Sequence, residues 1–408
     1  MTRDLTRFRL VPMRPRDARE SHRAASSLEL FFDLVFVVAV SIASYELHHA
    51  LTAGHIADGI ANYLIVFFGI WWAWMNFTWF ATSFDTDDWL YRVCTIVQMG
   101  GVLVLAAGIK PAFEHQDFRV LIFSYVVMRL ALVAQWLRAA HGSKRLRKTA
   151  LTYAIGITVV QALWLLSLLL PHEVFPFALV FLIAAELAVP VVAERRGTTP
   201  WHPHHITERY GLFTLIVLGE SLLASANAII EALDETDDIL PLVEISVLTL
   251  VVTAALWWIY FWPPHHEAIG TLRQSIRYGY GHYFILAAAA ALSAGIEVEI
   301  DVITGESHLT MPWASFAYTI PIAIFILGVW ILAIRPHGDR IVNTVVPAGA
   351  VLVLIDPIIP VPIALTAVIL VGIVVVLVWR TPVSRGGHGG GTHGGDVADT
   401  SARASSTP

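Results

Sequence analysis

Two carboxylates, Glu29 and Asp33, stand four residues apart in an otherwise apolar run, Leu28-Glu29-Leu30-Phe31-Phe32-Asp33-Leu34-Val35-Phe36. That interval is one helical turn, so both side chains share a face. An ionisable group at the centre of a lipid-embedded helix costs about 2.5–3.5 kcal/mol on insertion scales, so each one kept calls for a function or a partner. Glu220 is a third such carboxylate, inside Leu218-Gly219-Glu220-Ser221, and Glu186, Arg129 and His282 also fall within apolar runs. Carboxylates so placed are ligands for protons and small cations. Asp33 and Glu220 are therefore candidate titrating or ion-binding groups. Arg129 is their candidate counter-charge, and Glu29, Glu208 and Arg209 are a candidate gate at one membrane face. The competing reading makes Arg129 a structural partner of one carboxylate, with Gln98, Gln135, Gln161, Asn76 and Asn227 as interhelical hydrogen-bonding groups.

A second constellation is imidazole. Trp201-His202-Pro203-His204-His205-Ile206-Thr207-Glu208-Arg209 leads into one apolar run, and Pro263-Pro264-His265-His266 follows another. His202, His204, His205, His265 and His266 on one face are candidate zinc or nickel ligands. Their spacing matches no fixed metalloenzyme pattern, and histidine beside tryptophan is common interfacial chemistry, which is the favoured reading. The tryptophans Trp71, Trp72, Trp74 and Trp79, and Trp257, Trp258 and Trp262, suit a cation cage or an interfacial belt. No phosphate loop, nucleophile elbow or basic nucleic-acid stripe occurs. An enzyme reading therefore rests on the histidine face alone, which would also be the one place for a cofactor, a metal ion.

The elements that must position these groups are membrane spans. Of 408 residues, 56% are hydrophobic and 14% charged, against about 25% charged in soluble domains. Crossing ~30 Å of hydrocarbon takes about 20 apolar residues. Twelve runs qualify, near 28–50, 57–81, 89–109, 118–138, 150–170, 174–193, 207–230, 240–262, 276–297, 311–334, 341–356 and 361–379, the eleventh being short. Joined in that order, they place 23 of the 26 Lys and Arg residues on one side. The positive-inside rule makes that side cytoplasmic, with both termini on it. The opposite loops are acidic, as in Glu231, Asp234, Glu235, Asp237 and Asp238. The polar, Arg-rich start points to an uncleaved first span. The single cysteine, Cys94, excludes an intrachain disulfide.

The two halves echo each other. Trp71-Trp72-Ala73-Trp74 answers Trp257-Trp258-Ile259-Tyr260, and Arg92 answers Arg277, at offsets near 181–187 residues. Six spans per half makes this a parallel repeat, and such repeats place sites at their interface near the midplane. The expected organisation is an all-α, polytopic membrane protein of about twelve helices. It comprises a cytoplasmic segment 1–27, six-helix repeats 28–196 and 197–380, and a Gly/His/Ser-rich tail 381–408 too polar to form a core.

Glu29-Leu30-Phe31-Phe32-Asp33-Leu34-Val35-Phe36 resembles the opening signature of the bacterial low temperature requirement protein A family. His205-Ile206-Thr207-Glu208-Arg209-Tyr210-Gly211-Leu212-Phe213-Thr214-Leu215-Ile216-Val217-Leu218-Gly219-Glu220-Ser221 resembles its second. The resemblance covers roughly residues 24–380 and implies a multi-pass inner-membrane protein without assigning a chemistry. More loosely, Phe-Phe-Asp in the first span is similar to the Phe-Ser-Asp signature of a two-repeat potassium channel family. Thr214, standing where Asp33 stands, departs from that pattern. The leading expectation is a transporter or channel for a small cation, a proton-coupled substrate or another small solute. The others are a metal-dependent membrane enzyme and a sensor or scaffold for cold adaptation. Expected partners are the bilayer and a small ion or solute, with no nucleic acid; a homo-oligomer is compatible with all three.

Overall fold

A computed structural model describes residues 10–17, 20, 23–171, 173–233, 240–359 and 363–382. Among them every regular element is a helix: α1 (Ser27–Thr52), α2 (Ile56–Phe84), α3 (Trp89–Ala107), α4 (Ile109–His115), α5 (Arg119–Gly142), α6 (Arg147–Ser167) and α7 (Phe175–Glu194). The second half of the chain adds α8 (Pro203–Leu233), α9 (Leu240–Phe261), α10 (Leu272–Thr304), α11 (Trp313–Val329), α12 (Val342–Ile355) and α13 (Ala364–Trp379). Ten helices are long and apolar enough to cross a membrane, α4 counting as an extension of α3, and α12 and α13 are shorter apolar helices. The protein is thus a helical, multi-pass membrane protein, and each expected span has its helix. The acidic residues Asp234, Glu235, Asp237 and Asp238, and the tail beyond residue 382, lie outside the described residues.

Two local features were not in the sequence reading. The third span kinks at Gly108, where a Cβ would stand 2.9 Å from Val120 and 3.0 Å from the Leu121 amide. The start of α5 crosses there, and the chain continues as the short α4. The tenth span ends in one π turn, Trp330–Ile334, with the Arg335 amide bonding to the Trp330 carbonyl at 2.8 Å.

Helix starts follow from their caps. Ser26 and Glu29 form a reciprocal box at α1: the Ser26 amide donates to Glu29 Oε2 (2.8 Å), and the Glu29 amide donates to Ser26 Oγ (3.3 Å). Asp88 caps α3 by accepting from the Tyr91 amide, and also holds Arg138 of α5 and the Val11 amide. Burial pushes the Asp88 carboxyl up, but these hydrogen bonds and the Arg138 charge outweigh it and leave it below its ordinary value. The N-terminal segment lies across this end. Arg23 donates to the carbonyls of Ala81 and Thr82 in the last turn of α2, where helical carbonyls lack partners. Arg16 pairs with Asp85 at 3.2 Å.

The same order of neighbours occurs in both halves. α1 packs on α2 and α3, and the run continues α3 to α5, α5 to α6, α6 to α7. α8 packs on α9 and α10, and continues α10 to α11, α11 to α12, α12 to α13. α1 also packs on α8 and α10, which joins the halves. α10 is buried over most of its length. Gly295 on it allows the closest approach: a Cβ there would lie 2.4 Å from the Ala317 carbonyl oxygen and 2.6 Å from the Tyr318 nitrogen. Small residues are what let membrane helices touch backbone to backbone. Gly295→Ala should therefore lower the unfolding temperature in detergent, because α10 and α11 must separate. Gly69→Ala, where the new Cβ meets nothing within 4 Å, should leave it unchanged or raise it, since Ala gains about 1 kcal/mol over Gly in a helix. Equal effects of the two would contradict this packing.

Candidate functional site

α1 and α8 meet at the end where the N-terminal segment lies, and each brings a pair of side chains one turn apart. From α1 come Glu29 and Asp33; from α8 come His205 and Arg209. Arg209 donates from Nε to Asp33 Oδ2 (3.0 Å) and from Nη2 to Asp33 Oδ1 (2.6 Å), a fork-on-fork pair. Its third nitrogen, Nη1, stands 3.0 Å from Glu29 Oε1. His205 Nε2 is 3.3 Å from the same oxygen. Trp74 of α2 donates its indole N–H to Asp33 Oδ1 at 2.7 Å, while its ring stacks on Phe213 of α8. Asp33, His205 and Arg209 are completely buried, and Glu29 is 1% exposed. Two carboxylates thus face one guanidinium, with His205 as the group able to take up the remaining charge.

Of the three expected gate residues, Glu29 and Arg209 meet here, and Glu208, exposed beside Arg209 on α8, accepts a hydrogen bond from the Ala25 amide at the edge of the cluster. Arg129 is in a different place. It pairs with Glu186 of α7 at 3.1 Å, and Glu186 also accepts from Trp72 (2.9 Å) and Gln161 (2.7 Å). The counter-charge of Asp33 is therefore Arg209. The reason is packing: α5 lies between α3 and α6, and its buried arginine turns into the first half, away from the α1–α8 seam.

Farther along the same seam lies a second polar level that sequence reasoning passed over. His48 of α1 places Nδ1 3.0 Å from Glu297 Oε2 and Nε2 2.6 Å from Asp301 Oδ2, both on α10. Thr52 donates to Asp301 at 2.9 Å. Glu220, half-buried on α8, neighbours Ser41 and Glu297. Between the two levels the seam is apolar, with Phe36, Val40, Phe213 and Val217 fully buried. Hydroxyls interrupt it: Ser44 donates to the Ala290 carbonyl at 2.9 Å and Ser221 to that of Ala289 at 3.4 Å. The available signal was the four-residue interval of Glu297 and Asp301, the same as that of Glu29 and Asp33. The predicted span ended at Glu297, so the pair read as a boundary.

The histidines do not converge. His202 Nε2 is 2.8 Å from the Glu20 carbonyl, His205 belongs to the Glu29 cluster, and His204 stacks on His266 with ring centres 4.1 Å apart. His265 bridges the Tyr260 carbonyl (2.6 Å) and the Tyr278 hydroxyl (3.1 Å). Burial there drives its imidazole down to about 4. Among the described residues no three His, Cys, Asp or Glu side chains are grouped to hold a metal ion. His282 sits between the Tyr260 hydroxyl and the Tyr278 carbonyl.

The family model described as bacterial low temperature requirement A protein (LtrA) matches residues 24–379. An uncharacterised protein of Rhizobium meliloti (strain 1021) is 28% identical over 246 residues, 58% of this chain and 58% of that protein. The chain thus matches less than two thirds of the length of that curated relative.

Two predictions follow from the geometry. Removing one member of a buried ion pair costs about 3–5 kcal/mol, because the other charge stays desolvated. Arg209→Leu should therefore sharply lower thermal stability in detergent, and adding Asp33→Asn should restore part of it; a double variant no better than the single would refute the pairing. His265 titrates lower in the fold than its ordinary 6.5. As pH falls, the unfolded chain takes the proton first, so stability present above about 6.5 is lost between 6.5 and about 4. His265→Gln should lose less unfolding temperature than the wild type on going from pH 7 to pH 5, and an equal loss would count against a neutral buried imidazole.

Proposed function

This chain belongs to the bacterial low temperature requirement A protein family, and from that premise we propose that it is a transporter or channel of the cell inner membrane. Its cargo would be a small cation, a proton-coupled substrate or another small solute, moved along the α1–α8–α10 seam. The observation that carries this reading is the placement of ionisable side chains from both halves at two levels of that one seam. Glu29, Asp33, His205 and Arg209 form the first level; His48, Glu220, Glu297 and Asp301 form the second. The first-half pair Arg129–Glu186 is closed off by Trp72 and Gln161 and lies outside the path.

The matching order of helix neighbours supports reading residues 28–196 and 197–380 as parallel six-helix repeats. The seam would then be their interface, where such proteins hold substrate. The bias of Lys and Arg toward the loops on the side of the N-terminal segment supports reading that end as cytoplasmic. A proton or cation arriving at Asp33 would compete with Arg209 for it. Glu29 already stands 3.0 Å from the guanidinium and would hold it when displaced. At the outer level, Glu297 and Asp301 share one histidine and Glu220 stands near Glu297, so a cation entering there would find negative charge without a full protein counter-charge. The apolar stretch at Phe36, Val40, Phe213 and Val217 would be the barrier between levels.

The test is ion and proton flux in proteoliposomes under imposed proton, sodium and potassium gradients. Glu297→Gln and Glu220→Gln should each cut flux about tenfold or more, equivalent to about 1.4 kcal/mol of barrier, with Glu220→Gln unfolding at the wild-type temperature. Undiminished flux in both would remove the outer level from the path.

A further inference from the structure

We propose a proton-binding site at Glu299, on the side of α10 turned away from the α1–α8–α10 seam, where a bound proton holds α10 against α11. Glu299 stands two residues from Glu297 and two from Asp301. With 3.6 residues per turn, that interval sends its side chain to the other side of the helix. Glu297 and Asp301 face His48 of α1, whereas Glu299 faces Ser315 of α11. Glu299 is completely buried. One turn earlier on the same side is Gly295, where a Cβ would lie 2.4 Å from the Ala317 carbonyl oxygen, so the two backbones touch beside this carboxyl.

Neither carboxyl oxygen of Glu299 has a hydrogen-bond partner, and among the described residues no cationic side chain faces it. The titratable groups around it bring no positive charge. Tyr318 of α11 lies within electrostatic reach of both Glu299 and Asp356. Asp356, just beyond α12, is buried and takes its hydrogen bonds from Thr366. Of the other helices packed on α10, α1 and α8 turn His48 and Glu220 to Glu297, and neither α2 nor α9 sets a charged group against Glu299. A carboxylate here would be a charge with no water, donor or counter-ion, a very costly state for a side chain within a membrane. A proton removes that charge and takes no space. A metal ion would need further ligands, and among the described residues no three His, Cys, Asp or Glu side chains are grouped to hold one. Loss of the proton would leave a bare charge in the α10–α11 contact, so ionisation and separation of these helices are linked. The site is distinct from the seam and stands whether or not the chain moves ions.

Infrared spectroscopy of the full chain in proteoliposomes at pH 7 tests this through the carbonyl stretch of a protonated carboxylic acid, which a carboxylate lacks. That band should be weaker by one carboxyl in Glu299→Gln and unchanged in Glu297→Gln. The pH dependence of unfolding in detergent is the second readout. A free glutamate ionises near about 4.3. Above that pH the unfolded chain releases a proton that the folded chain retains, so stability falls as pH rises. From pH 5 to pH 7 the unfolding temperature of the wild type should therefore drop relative to that of Glu299→Gln. An acid carbonyl band that Glu299→Gln leaves intact, or unfolding temperatures of the two proteins that run parallel across this range, would each overturn the assignment.

Discussion

The bidentate contact between Asp33 and Arg209 joins residues 176 positions apart in the chain. It is made where neither group reaches water. In such a setting the desolvation of each ion is recovered only while the pair stays together and its remaining valences are filled. That requirement sets the neighbours. Trp74 must point its N–H at Asp33, which lays its ring on Phe213. Glu29 must face the third guanidinium nitrogen, and the Ser26 box holds its carboxylate there from the first turn of α1. The register of α1 against α8, and through it of the first half against the second, is fixed by one charge pair and its hydrogen bonds.

Charge elsewhere in the membrane follows the same rule of local compensation. Arg129 finds Glu186 within the first half, and Glu186 also accepts from Trp72 and Gln161. The departure is the outer level of the seam, where His48 is shared between Glu297 and Asp301 and Glu220 stands close by. Carboxylates in excess of cations are expensive for a fold and useful to a protein that must attract a cation.

Much of this was readable from sequence, for physical reasons. All twelve apolar runs are helical, ten of them long enough to cross a membrane and the last two shorter, because backbone in lipid has no partner but itself. The one-turn interval Glu29–Asp33 told which side chains of α1 share a face. What a one-dimensional reading could not supply was the partner across the bundle. Arg129 was the expected counter-ion of Asp33, but helix packing turns it toward Glu186 and brings Arg209 to Asp33. Glu297 and Asp301 were passed over because a hydropathy window ends at the first charge, although α10 runs on to Thr304. The kink at Gly108 depends on where α5 crosses, which the composition of α3 does not encode.

We propose, first among the cargoes named, that a cation or proton crosses the membrane along the α1–α8–α10 seam. The most direct measurement is the current on a solid-supported membrane carrying purified protein, with stepwise changes of pH, sodium and potassium. The account predicts a transient current for at least one of these ions, reversing sign with the step and absent from protein-free membranes. Correctly inserted protein that gives no current for any step would contradict it.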